Sequence, residues 1–173
     1  MDQSLYLLLL AGFPALVIVG AIHDLATFTI PNWISLALLA LFFPVALLMG
    51  LDLSQIALSA AIGFVLLLVG IGMFAARWIG GGDAKLLAAA GLWLGWPAVF
   101  QFVLITALAG GALALVLMGA RNTPLSAVAL RGPGWMHKLV EKDGPAPYGV
   151  AICFGALAAF PMSTLVAAAG AGI

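Results

Sequence analysis

Long apolar segments alternate with short breaks of glycine, proline and charged residues along the whole chain. The segments cover about residues 4–22, 32–50, 54–78, 84–95, 98–120 and 148–170. A helix needs about 20 apolar residues to cross the hydrocarbon core of a bilayer, and only the fourth segment is clearly shorter. The pattern predicts an all-α, polytopic membrane protein with about six transmembrane helices that form a single domain over residues 1–173. The first segment is expected to remain as a helix, because Asp2 precedes it and a signal peptide would begin with basic residues.

Composition agrees with a bilayer as the surrounding solvent. Hydrophobic residues make up 65% of the chain and charged residues 7%, whereas soluble domains carry about 25% charged residues. The formal net charge is zero, so nucleic acid is not an expected partner. Cys153 is the single cysteine, which excludes an internal disulfide and a cysteine-based metal site, and an inert apolar role is expected for it. No metal and no cofactor are predicted.

The basic residues predict an orientation. With six helices, all six fall on the side that holds loops 1–2, 3–4 and 5–6; they are Arg77, Lys85, Arg121, Arg131, Lys138 and Lys142. Loops rich in lysine and arginine stay in the cytoplasm. The N-terminus is therefore expected outside the membrane.

Two acidic residues fall at the predicted cytoplasmic ends of helices, since Asp24 ends the first helix and Asp83 opens the fourth. They are 59 positions apart, but the topology allows them to meet. The fourth segment is only about 12 residues long, or roughly 18 Å at 1.5 Å per residue, against a core of about 30 Å. Asp83 is therefore expected below the interface, where a carboxylate is costly and usually functional. Ordinary structural roles, as a helix cap or an interfacial anchor, stay open for both residues.

A pair of close carboxylates suits one kind of chemistry. Two such groups within hydrogen-bonding reach do not easily ionise together, so they share a proton at neutral pH. The ionised group can then act as a general base on water while the protonated group polarises a peptide carbonyl. This is the chemistry of aspartic proteolysis.

Three short motifs carry a family resemblance over essentially the whole chain. Asp24 is followed by Ile30-Pro31-Asn32, then by the stretch IGGGDAK that ends at Lys85, and then by Pro147-Tyr148-Gly149. In this order they resemble the prepilin peptidases, membrane aspartic proteases of the GxGD type, and most closely the short CpaA/TadV branch that serves Flp-type pili. The GxGD motif alone is weak in a glycine-rich membrane protein, and the specificity comes from the combination.

The resemblance implies removal of the leader peptide from type IV prepilins and pseudopilins, including Flp-like ones, at the cytoplasmic face of a bacterial inner membrane. Asp24 and Asp83 would be the catalytic pair, in contact with the lipid bilayer and prepilin substrates, with other pilus assembly proteins as further partners. The remaining motif residues would shape the site: Gly80, Gly82, Lys85, Ile30, Pro31, Asn32, Pro147, Tyr148 and Gly149. Alternative roles stay open for Lys85 as an interfacial anchor and for Pro147-Tyr148-Gly149 as an ordinary helix start.

Two features depart from the family pattern. Bifunctional members carry a cytoplasmic segment with paired cysteines and also methylate the new N-terminus; this chain has one cysteine, so neither methyltransferase activity nor zinc is expected. Basic residues often precede Ile-Pro-Asn in the family, where this chain has Ala26-Thr27-Phe28-Thr29. This affects how loop 1–2 is expected to meet lipid headgroups or substrate.

Two other classes of function compete with the peptidase. A small transporter would use Asp24 and Asp83 as a proton or cation relay, since carboxylates within membranes also serve transport. A non-enzymatic subunit of a pilus or secretion machine would tolerate conservative changes of either aspartate.

Overall fold

The computed structural model describes residues 3–121, 134–141 and 144–171. In these ranges the chain forms helices without strands, as the apolar pattern predicts. The helices are α1 (Gln3–Thr27), α2 (Asn32–Leu48), α3 (Leu53–Ala75), α4 (Gly81–Leu94), α5 (Ala98–Arg121), α6 (Gly134–Val140), α7 (Tyr148–Ala159) and α8 (Thr164–Ala171), with a 3₁₀ turn at Phe160–Met162.

Within the described residues, four helical segments are long and apolar enough to cross a membrane. They are Leu7–Thr27, Leu53–Ala75, Ala98–Arg121 and Tyr148–Gly170, and the last joins α7, the 3₁₀ turn and α8. The other two predicted segments form shorter helices, because α2 has 17 residues and α4 has 14. The prediction of an all-α, polytopic membrane protein is confirmed.

Two helix boundaries differ from the prediction. Helix α1 continues to Thr27, about five residues beyond the predicted end of its apolar segment. Asp24 lies in its last turn, at the end of the helix as predicted. The predicted helix over 148–170 is interrupted at Phe160–Met162, where Pro161 lacks the N–H that a continuous α-helical ladder needs. Of the basic residues that predicted the orientation, Arg131 and Lys142 lie outside the described residues.

The short helix α4 occupies the centre of the bundle. Ten of its residues are buried, and they are Asp83, Ala84, Leu86, Leu87, Ala89, Ala90, Gly91, Leu92, Trp93 and Leu94. Near its C-terminal end, the indole N–H of Trp93 donates to the carbonyl of Leu38 on α2 at 2.8 Å, and the ring stacks on Phe13 of α1 at a centroid distance of 5.4 Å. Because α4 is central, the carboxyl side chain of Asp83 in its first turn is buried in the protein interior.

Close contact between α3 and α4 depends on small residues. A Cβ added to Gly70 of α3 would lie 2.9 Å from the Cβ of Ala84. Small side chains allow membrane helices to approach closely, where dispersion contacts accumulate. Helix α4 is held on this side over most of its length.

Candidate active site

The end of the bundle that holds Asp24 and Asp83 is called the aspartate end below. It comprises the last turn of α1 and the first turns of α2, α4 and α7. Asp24 and Asp83 are 4% and 6% exposed, although carboxylates are seldom fully buried without a counter-charge. The structure brings both predicted catalytic residues to one buried location.

Asp24 is held by the beginning of α7. Its Oδ2 accepts a hydrogen bond from the Gly149 N–H at 2.8 Å, across 125 positions of the chain. This N–H belongs to the first turn of α7, where backbone donors have no partner within the helix. A Cβ on Gly149 would lie 2.8 Å from that same oxygen and 3.0 Å from the Asp24 Cβ. The close approach of this carboxylate to the backbone therefore requires glycine.

The two oxygens of Asp83 differ in their hydrogen bonding to the described residues. Its Oδ2 accepts a hydrogen bond from the Gly80 N–H at 2.9 Å, while its buried Oδ1 has no hydrogen-bond partner among the residues that the structure describes. Asp24 is near enough to disfavour a charge on Asp83, whereas the Gly149 N–H also approaches the Asp83 carboxyl group and favours its charge. The Oδ1 of Asp83 thus belongs to a pair of interacting carboxyl groups.

The structural alternative accounts for part of this arrangement. Asp83 closes the first turn of α4 through the Gly80 N–H, much as an acidic residue does in a capping box. Asp24 does not end α1 in that way, because its partner lies on another helix. Capping therefore explains one oxygen of Asp83 and leaves its buried Oδ1 without a structural role.

Ile30 joins the three sequence motifs. A Cβ on Gly82 would lie 2.9 Å from the Ile30 Cβ and 3.1 Å from its carbonyl oxygen, and a Cβ on Gly149 would lie 3.0 Å from the Ile30 Cδ1. Buried Ile30 therefore packs on the backbones of both glycines, and these contacts keep α4 and α7 beside the end of α1. The sequence predicted these residues as site-shaping, but their mutual contact follows only from the fold.

The remaining motif residues lie around this centre. Pro31 immediately precedes α2, and buried Pro147 precedes α7. Tyr148 packs against α5, since its ring is 3.4 Å from a Cβ placed on Gly110. Lys85 donates from Nζ to the Asn32 Oδ1 at 2.7 Å, which links α4 to α2.

The turn between α1 and α2 contains a polar network that the sequence did not reveal. The Nδ1 of His23 lies 2.7 Å from the carbonyl oxygen of Thr29, so Nδ1–H is the donor. The Thr27 hydroxyl donates to the His23 carbonyl at 2.8 Å and lies 2.8 Å from the Thr29 hydroxyl. These bonds fix the segment that delivers Ile30, and only the i, i+4 spacing of His23 and Thr27 could have suggested them.

The described residues contain no group of three or more histidine, cysteine, aspartate or glutamate side chains that could hold a metal ion. Cys153 is buried and free. Among the described residues, the aspartate end offers the two carboxyl groups and the Gly149 and Gly80 amides that donate to them.

Comparisons with known proteins agree with the motifs. The chain matches segments of proteins named "Prepilin leader peptidase/N-methyltransferase". In Burkholderia pseudomallei strain 1026b the identity is 66% over 38 residues, which is 22% of this chain and 12% of the relative. In Pectobacterium carotovorum subsp. carotovorum it is 43% over 58 residues, 34% of this chain and 20% of the relative. The matches thus span between 12% and 20% of these curated relatives, and no solved structure matches the chain.

The family model extends further along the chain than these relatives. The model of the type IV leader peptidase family matches residues 11–115, a range that includes Asp24, Asp83 and Lys85. Because this range is more than half of the chain, the protein belongs to the type IV leader peptidase family.

Proposed function

We propose that this protein is a membrane aspartic endopeptidase that removes the leader peptide from type IV prepilins and pseudopilins, including those of Flp-type pili. The proposal takes residues 1–173 as a single transmembrane peptidase domain. Its main support is the buried Oδ1 of Asp83, which has no partner among the described residues. A second buried carboxyl group, Asp24, is close enough to interact with the charge of Asp83. An oxygen of this kind is available to bind a water molecule or a substrate group.

The reaction requires both carboxyl groups in different protonation states. The ionised aspartate removes a proton from water, whose oxygen attacks the scissile carbonyl carbon. The protonated aspartate donates a hydrogen bond to the carbonyl oxygen and stabilises the charge that develops there. Proton transfer to the leaving nitrogen then breaks the C–N bond and releases the leader and the mature protein.

Positioning of the pair rests on backbone groups. The Gly149 N–H holds one oxygen of Asp24 and the Gly80 N–H holds one oxygen of Asp83, so each carboxyl group keeps its second oxygen for chemistry. Reacting groups held in place before substrate binds reduce the entropic cost of reaching the transition state. The glycines of the two motifs are therefore proposed as positioning residues.

The proposed location is a bacterial inner membrane, with the N-terminus outside and the site toward the cytoplasm. Arg77, Lys85 and Arg121 support this orientation, because they follow α3, lie near the start of α4 and end α5. Arg77 and Arg121 line one pocket together with Gly80 and Tyr148, so all three basic residues are at the same end of the bundle as the two aspartates, and cytoplasmic loops are enriched in basic residues.

Prepilin processing by conservative variants tests the proposal. An Flp-type prepilin is co-expressed with the wild type, Asp24→Asn, Asp83→Asn or Asp52→Asn, and the leader is followed by gel shift while membrane levels are measured. Asp52 is a matched control, because it is an acid at the opposite end of the bundle and asparagine caps a helix about as well. We expect processing by the wild type and Asp52→Asn only, with equal accumulation of all four proteins.

Other results would favour the competing functions. If Asp24→Asn or Asp83→Asn processes prepilin at the wild-type rate, the catalytic assignment of that residue is wrong. A relay would instead lose pH-dependent ion flux in these variants without any change in processing. Absence of methyltransferase activity stays a prediction, and mass spectrometry of the processed N-terminus tests it.

A further inference from the structure

A groove opens sideways between α2, α3 and α4. Its volume is about 450 Å³. Its lining is mostly apolar and includes Leu36, Leu39, Phe43, Gly63 and Phe64, with Lys85 at one end. In a membrane this groove faces the acyl chains, because these helices present exposed leucine and phenylalanine side chains on either side of it.

The depth of the groove comes from its small residues. Gly63 of α3 lies against α4, where an added Cβ would be 3.0 Å from the Leu92 Cβ and 3.2 Å from the Ala88 carbonyl oxygen. Exposed Leu36 and Phe64 form its walls. The result is an apolar groove that runs along the helices.

The only charged side chain among the residues that line the groove lies at one end of it. Among the lining residues Lys85 is the single charged one, and the other two polar side chains, Asn32 and Ser35, lie in the first turn of α2. Lys85 donates one hydrogen bond to Asn32. An ammonium group has three donors, and Asn32 takes up one of them among the described residues, so the others can serve a ligand.

The length of the groove distinguishes between two occupants, the transmembrane helix of a substrate and the acyl chain of a lipid. On α2 it runs from Asn32 to Phe43, which corresponds to roughly 16 Å of helix at 1.5 Å per residue. A substrate helix that spans the membrane would pack along the full core of about 30 Å. The groove covers about half of that thickness, from the interface to mid-bilayer, as one lipid acyl chain does.

We propose that this groove is a binding site for an anionic phospholipid. The phosphate accepts hydrogen bonds from Lys85, with Asn32 and Ser35 nearby, and one acyl chain lies along Leu36, Leu39 and Phe43. The lipid would fill the space between α2 and α3. Its phosphate would bind Lys85, which is two residues after Asp83 on α4. Lipid binding does not require the proposed peptidase activity.

Lipid retention by the purified protein tests this site. The protein in mild detergent is incubated with phosphatidylglycerol or phosphatidylcholine, and bound lipid is counted by native mass spectrometry. One basic residue near a membrane surface contributes enough to change the preference for anionic lipid about fivefold. We expect the wild type and Lys85→Arg to prefer phosphatidylglycerol, Lys85→Gln to lose the preference about fivefold, and Ser35→Phe, which fills the groove, to retain less of either lipid.

Arg77→Gln is the matched control, because it removes a positive charge from the same end of the bundle without touching the groove. Equal retention of phosphatidylglycerol by the wild type, Lys85→Gln and Ser35→Phe would refute the site. If Ser35→Phe instead lowers binding of an uncleaved prepilin and leaves lipid retention unchanged, the groove belongs to the substrate helix and the lipid proposal fails. Neither result uses cleavage as its readout, so the proposal can fail while the peptidase assignment stands.

Discussion

The two ends of the bundle treat their carboxylates in opposite ways. At the end away from the site, exposed Asp52 accepts hydrogen bonds from the Gln55 N–H at 2.8 Å and the Ser54 hydroxyl at 2.7 Å, and its own N–H donates to the Gln55 side chain. At the aspartate end, the bond to Asp24 comes from a residue 125 positions away, and Asp83 keeps a buried oxygen without a partner among the described residues.

This difference separates a structural carboxylate from a candidate catalytic one. Asp52 is satisfied by neighbours within three residues and by water, so its role as the cap of α3 is complete. The pair at the aspartate end is costly to bury and only partly compensated. Buried carboxyl groups with incomplete compensation are concentrated at functional sites, and Asp24 and Asp83 are candidates for that reason.

Among the substitutions that test this difference between the two ends, Gly149→Ala is expected to have the largest effect on prepilin processing. Its Cβ would meet the Asp24 Oδ2 at 2.8 Å and the Ile30 side chain at 3.0 Å, so the carboxyl group has to move. We expect prepilin processing to fall about 100-fold, as small displacements of reacting groups do, measured by the rate of leader removal in membranes. Gly12→Ala is the control, because nothing lies within 4 Å of its Cβ; unchanged processing by Gly149→Ala would mean that this amide does not position Asp24.

Adjacent glycines give a matched pair with the next largest effect. Gly82→Ala places a Cβ 3.1 Å from the Ile30 backbone oxygen, whereas Gly81→Ala makes ordinary contact with Phe74 at 3.6 Å. We expect Gly82→Ala to lower the free energy of unfolding in detergent by about 1–3 kcal/mol and Gly81→Ala to leave it nearly unchanged. Thermal unfolding measures both, and equal stabilities would show that the contact with Ile30 relaxes without cost.

A smaller effect is expected from Thr27→Val. The substitution removes the hydroxyl that bonds the His23 carbonyl and lies beside Thr29, but it keeps the side-chain shape. One lost hydrogen bond of about 0.5–1.5 kcal/mol should slow prepilin processing by a few fold through a looser Ile30. The initial rate of leader removal measures this change, because a gel at a single time point does not resolve a difference of a few fold. A wild-type rate in Thr27→Val would show that the hydrogen bonds of Thr27 do not affect the site.

The smallest effect is expected at Asp52. The Gln55 N–H and the Ser54 hydroxyl hold the pKa of the Asp52 carboxyl below its ordinary value of 3.8. A carboxyl group with a lowered folded-state pKa stabilises the protein above the unfolded-state pKa, and this contribution is lost as the pH falls through the lower value. Asp52→Asn removes this contribution but keeps a capping side chain, so it should lower stability at pH 7 only slightly and reduce the loss of stability below about pH 4. A pH series of thermal unfolding measures this, and a large loss at pH 7 would give Asp52 a role beyond capping.

Much of the architecture follows from local patterns. Runs of apolar residues specify helices in a membrane whatever their neighbours are, because each helix satisfies its own backbone hydrogen bonds. The six segments, the short fourth helix and the grouping of Asp24 with Asp83 were therefore readable from the chain. Pro161 also indicates the interruption of the last segment, but the segment was predicted as one helix because apolar residues continue on both sides of this proline.

Only tertiary structure decided which groups meet at the site. The bond from the Gly149 N–H to Asp24, the packing of Ile30 on two glycine backbones and the unpartnered Asp83 Oδ1 depend on helices that are far apart in sequence. Hydropathy specifies that a segment is a helix and where it crosses the membrane, but it does not specify its rotation or its neighbours. Those are set by close packing between small residues and by individual hydrogen bonds, which exist only once the helices are assembled.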